Sequence, residues 1–113
     1  EPKIPAIQAL VDTSKSAFSS RPSAIGAMYA FEVQQPETAS SKLKGLREHF
    51  ELPQSAEPYF IEHAKNQHEA EKLLALMGTL SNEEVDQALD ACEEMSQALW
   101  DALSGIYDTY CVQ

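Results

Sequence analysis

Two side chains in this sequence are of the wrong type for the places their neighbours assign them, and both can do chemistry. Glu32 stands within "MYAFEVQQPE", residues 28–37. Stepping back from it by helical intervals gives Tyr29, Met28 and Ile25, all apolar or aromatic. A lone carboxylate among such neighbours costs several kcal/mol unless something pairs with it. His63 is the second case, with Tyr59 and Phe60 one turn before it and Gln67 one turn after. If two such helices pack face to face, a carboxylate and an imidazole project into one interior. Helical bundles build iron and manganese sites from such donors, and the two ligand types together suit iron, manganese or zinc. A direct Glu32–His63 hydrogen bond satisfies both residues without any metal, and the residues alone leave both solutions open.

The other polar candidates are weaker. His68 shares its face with Lys65, Glu71 and Lys72, which is a solvated setting. His49 falls at a helix end, where a cation favours the terminal carbonyls. The histidines of "HAKNQH" are five apart rather than four, so they do not make the one-face pair of a zinc motif. No serine or cysteine sits in a strained-turn nucleophile context, and there is no glycine-rich phosphate loop. Met28, Met77, Met95 and the aromatics read as core, with Trp100 and Tyr107 covering one side of the last helix.

These side chains need helices to carry them, and the apolar spacing supplies five. The first runs from about Pro5 to Phe18, with Ile7, Leu10, Val11, Ser14 and Phe18 on one face. Pro22 is placed to start a second helix reaching Gln35, whose small Gly26, Ala27 and Ala30 allow a neighbour to approach closely. Pro36 then stops or kinks the chain. A third helix spans about Glu37 to Phe50, with Leu43 and Leu46 inward, before the loop "ELPQSAEP". The fourth is expected from Glu57 to Met77, with Tyr59, Phe60, His63, Gln67, Ala70, Leu74 and Met77 inward and Gly78 as its stop. Ser81 with Glu84 forms a capping box. It opens a last helix whose inward face reads Val85, Leu89, Cys92, Ser96, Leu99, Leu103, Ile106 and Tyr110. The expectation is an all-α helical bundle of four to five helices.

At 113 residues the chain is one helical domain or part of one. A formal charge of −10, from 18 acidic against 8 basic residues, argues against nucleic acid and anionic membrane surfaces. No apolar run approaches the roughly 18 residues that span a bilayer. Cys92 and Cys111 on one unbroken helix lie roughly 28 Å apart, against about 7 Å for a disulfide. A reducing cytoplasm is the simpler setting, with Cys92 as small core filler.

The stretches "AIGAMYAFEVQQPETASSKLKGL" and "YFIEHAKNQHEAE" resemble the haem-oxygenase-like helical proteins, the TenA and PqqC relatives among them. The nearest likeness is to the branch containing the Chlamydia protein associating with death domains. The resemblance covers nearly the whole chain, as the later helices of that domain. It implies a non-haem iron, or iron/manganese, oxidase or oxygenase that activates O₂ between helices and acts on a small organic substrate. It makes Glu32 and His63 metal ligands, with His63 opening an H-x₃-D-x₂-H motif. The motif's Asp position is Gln67 here and its second His position is Ala70. Gln67 would then orient a ligand rather than be one, and Met28, Tyr29, Tyr59 and Phe60 would line the substrate pocket. Glu71 lies one residue past the second His position and needs a register shift to help. The resemblance places an earlier ligand-bearing helix before this segment, which predicts a longer protein, a degenerate one, or a homodimer whose partner covers the exposed stripes. The alternative is a non-catalytic binding or dimerisation module with a buried Glu32–His63 pair.

Overall fold

In the computed structural model, which describes residues 4–50, 53–65 and 67–111, every regular element is helical. The order is α1 (Pro5–Ala17), α2 (Arg21–Glu32), α3 (Gln35–His49), a 3-10 turn (Gln54–Ala56), α4 (Pro58–Lys65), α5 (His68–Met77) and α6 (Asn82–Tyr110). Residues 51 and 52 of the expected loop lie outside the described residues.

Local signals set most of these boundaries. Proline occupies the first turn of α1, α2 and α3, where its missing N–H has no helical partner to lose. Ser81 Oγ accepts the Glu84 N–H at 3.2 Å, and the Glu84 carboxylate accepts the Ser81 N–H at 3.0 Å, closing the capping box of α6. Gly78 caps α5. At Pro36 the chain kinks without leaving helical space, since Val33 and Gln34 keep φ of −65° and −88°. The second helix therefore ends at Glu32, three residues short of the expected Gln35.

The helix expected over 57–77 is two helices. α4 packs on α3, whereas α5 packs on α2. α4 ends at Lys65 and α5 begins at His68, capped by Gln67 with φ −104° and ψ 0°. The inward face differs from the expected one, with Leu73 buried and Leu74 exposed.

α6 is the spine, 29 residues long and so about 43 Å end to end. Both α1 and α2 lie along it. Its buried stripe is Ala88, Ala91, Met95, Ala98 and Ala102, rather than the larger residues expected one position over. Leu89 and Leu103 are 55% and 64% exposed, and Trp100, Tyr107 and Tyr110 are also exposed. The reason is the closeness of α2. A Cβ added to Gly26 would overlap the Ala88 carbonyl oxygen and come within 2.9 Å of its Cα, so only small side chains fit between the two axes. Ala17, Ala27, Ala30 and Met95 form the centre of the core, with Leu10, Cys92 and Leu99 against them. Met28 is exposed rather than core.

The result is a slab of 49 × 32 × 19 Å. Helices with side chains are about 10–12 Å thick, so the fold is two layers deep. Its radius of gyration, 16.2 Å, exceeds the ~13 Å of a compact domain near this length.

Candidate functional site

Glu32 is the last residue of α2, half-buried just before the kink. There it lines a cleft of about 530 Å³ between the α2–α3 elbow and the α4–α5 break. Tyr29, Glu37, Gln67 and Glu71 line the same cleft. This volume is within the range of small-molecule sites. Three carboxylates and no lysine, arginine or histidine line it, which favours cationic over anionic groups. Glu32 also borders a second, apolar cavity of about 260 Å³, together with Met28, Phe31 and Met95. The carboxylate thus stands in the wall between an acidic cleft and an oily one.

His63 is half-buried on α4. Its ring stacks on Tyr59, with centroids 3.9 Å apart and planes 23° from parallel. Its Nδ1 is 2.8 Å from the Tyr59 backbone carbonyl oxygen. Tyr59 also meets Phe60 edge to face at 5.3 Å. Tyr59, Phe60 and His63 do not line the Glu32 cleft, although Ala64 does.

The structure therefore brings Tyr29, Glu32 and Gln67 together, sets Met28 on the adjoining cavity, and leaves Tyr59, Phe60 and His63 outside both. The buried Glu32–His63 pair needs correction. No hydrogen bond or ion pair joins the two, and no polar or charged residue is buried among the described residues. The imidazole meets a carbonyl of its own helix one turn back, and Glu32 is at an open cleft where water can solvate it. His49 and His68 are exposed, as their neighbours suggested.

Two further acids line the cleft with Glu32. Glu71 stands four residues after Gln67, and this one-turn spacing sets both on the cleft wall. The elbow at Pro36 does the same for Glu37, five residues after Glu32. A proline between two carboxylates was the available signal for Glu37, and the four-residue spacing from Gln67 was the signal for Glu71.

An arginine clamp holds α4 to α3. Arg47 Nη2 and Nε donate to the two carboxylate oxygens of Glu57 at 3.1 and 3.3 Å. The hydrogen bond and the charge of Glu57 raise the Arg47 pKa above its ordinary value. Glu57 immediately precedes α4, so this fork fixes where the helix bearing His63 begins.

A family of iron-containing redox enzymes, of the haem-oxygenase-like type, matches residues 1–101. The chain belongs to that family. Among curated proteins it is similar to the 4-aminobenzoate synthase of Chlamydia pneumoniae, at 30% identity over 75% of this chain and 39% of that protein. The 4-aminobenzoate synthase of Chlamydia trachomatis is 31% identical over 74% of this chain and 37% of its own length. The chain thus spans less than two fifths of these relatives. No solved structure matches it significantly. The all-α architecture agrees with the haem-oxygenase-like fold.

Iron is the metal that the family implies. Among the described residues, however, no three His, Cys, Asp or Glu side chains are grouped to hold a metal ion. Glu32, Glu37 and Glu71 share a cleft without converging on one point in it. The described residues by themselves do not make a complete iron site.

Proposed function

We propose that this chain carries part of the active site of a haem-oxygenase-like, non-haem iron (or manganese) oxidase or oxygenase acting on a small organic substrate. The observation that carries this reading is the family match over residues 1–101, with Glu32 lining a cleft of substrate size. Glu32 and His63 are the chain's ligand residues in this reading. Gln67, on the cleft wall beside Glu32, orients a ligand by hydrogen bonding. Support for the substrate pocket is uneven: Tyr29 lines the cleft, Met28 the adjoining cavity, and Tyr59 and Phe60 neither. The chlamydial relatives make 4-aminobenzoate the first product to assay, and placement in the branch of the Chlamydia protein associating with death domains rests on the sequence resemblance. A cytoplasmic setting suits the two free thiols.

The exposed faces of this slab call for a covering surface. The accessible area is 8088 Å², against roughly 6,200 Å² for a compact monomer of this mass. The excess is about 1,900 Å², more than the ~800 Å² per partner of a standard interface. Phe31, Leu103 and Ile106 are among the exposed residues along one groove lined by α1, α2, α3 and α6. A second copy of this chain is the occupant we propose, giving a homodimer. A concentration-independent monomer in analytical ultracentrifugation would overturn it.

The same exposed face favours one competing reading, a non-catalytic binding or dimerisation module. Metal analysis of protein purified without chelator, followed by Fe(II) addition and O₂ uptake, separates the two. Stoichiometric iron that is lost in both Glu32→Ala and His63→Ala supports the oxidase. A folded protein as long as its relatives that binds no metal supports the module.

A further inference from the structure

The imidazole of His63 has one nitrogen committed and one open, and which is which follows from its neighbours. A backbone carbonyl only accepts hydrogen bonds. The 2.8 Å contact between His63 Nδ1 and the Tyr59 carbonyl oxygen therefore requires the proton to be on Nδ1. A neutral imidazole has a single N–H, so Nε2 carries the lone pair. The carbonyl has two lone pairs, so it can serve the backbone N–H four residues on as well as the ring. The second restraint is the Tyr59 ring itself. It lies 3.9 Å from the imidazole centroid and nearly parallel to it, which confines rotation about the bond joining ring and chain. Phe60, edge-on to Tyr59, supports that ring in turn. The hydrogen bond and the ring stack on His63 thus both come from one residue, one helical turn before it.

We infer that Tyr59 is a positioning residue: its carbonyl and its stacked ring together preset His63 as the Nδ1–H tautomer, with Nε2 as the electron-pair donor. The use of that donor rests on the ligand role given to His63 under the proposed function, but the tautomer does not. A histidine held in this way has its outward nitrogen chosen before any electron-pair acceptor arrives. Backbone carbonyls commonly do this for histidines that bind metals, by fixing tautomer and ring orientation together. The device sits on α4, away from the three carboxylates of the cleft.

Long-range ¹⁵N–¹H NMR of the full chain, labelled in histidine, tests this. The spectra are taken near pH 8.5, about two units above the ordinary imidazole pKa, and His63→Gln identifies the signal. The expected result is a His63 ring that is predominantly Nδ1–H, unlike exposed His49. Tyr59→Phe keeps the stack and leaves the tautomer unchanged. Tyr59→Ala keeps only the carbonyl and shifts a substantial fraction to Nε2–H, while Tyr59 is exposed enough for the fold to survive the change. A native His63 found mainly as Nε2–H overturns the proposal. So does a Tyr59→Ala spectrum identical to the native one, because the ring would then position nothing. If the tautomer holds but His63→Ala leaves bound iron unchanged, the ligand assignment fails and the tautomer stands.

Discussion

The α2–α6 crossing and the α3–α4 arm are built on opposite terms. At the crossing, Gly26 lies against the Ala88 backbone and a stripe of alanines with one methionine closes the seam. Most of the buried residues among those described are in α1, α2 and α6. The arm has one buried residue, Ala39 on α3, and none on α4. It is held by half-buried Leu43, Leu46, Phe60 and Ile61 and by the Arg47–Glu57 fork. Yet the arm carries His63, and its junction with α2 carries Glu32. The lesson is a division of labour: backbone proximity fixes the frame, and loosely packed helices hold the groups able to do chemistry. Local opening is easiest where few apolar contacts are buried.

The largest effect should come from filling the crossing. Gly26→Leu puts a side chain where the Ala88 backbone already is, and overpacking of this kind costs about 3 kcal/mol or more. Urea or thermal unfolding should show a transition shifted well below the native one; a melting temperature near the native one would mean the crossing is not the frame. A smaller effect is expected at the entrance to α6. Ser81→Ala removes the cap acceptor and should cost about 1 kcal/mol. The same cap has a pH signature. The Ser81 backbone N–H, and then its side chain, lower the Glu84 pKa. The carboxylate's contribution is therefore present above its unfolded pKa of about 4.3 and lost as pH falls through its lower folded value. Unfolding followed from pH 6 downwards should show this loss, Glu84→Gln should abolish it, and Ser81→Ala should reduce it only in part, because alanine keeps the backbone N–H. The smallest global effect belongs to the arm. Arg47→Ala removes an exposed ion pair and should hardly move the melting temperature. Hydrogen exchange should nevertheless quicken in α4 but not in α6, and an even response across both would erase the contrast.

Much of the frame could be read from residue types. Gly26, Ala27 and Ala30 announced a close neighbour, Pro36 a kink, and Ser81 with Glu84 a helix start, because each acts through its own backbone. The face of α6 was misjudged by one position. Periodicity follows the largest apolar residues, such as Leu89 and Leu103, whereas a tight crossing admits only the alanines beside them. The break before α5 has no glycine or proline to mark it, and the helices on its two sides have different packing partners. For the site, Tyr29, Glu32 and Gln67 share a cleft as their spacing allowed, but His63 does not. An i−4 carbonyl and a tyrosine ring capture it locally, and neither can be weighed from a pattern of inward residues.

The two-layer thickness has a thermal consequence. Heat-capacity change on unfolding follows the apolar area newly exposed, about 12–15 cal/mol/K per residue in closed domains. A slab 19 Å thick, with its aromatic and leucine side already wet, has less left to expose. Its free-energy curve against temperature is correspondingly shallow, and any surface that covered that wet side would steepen it.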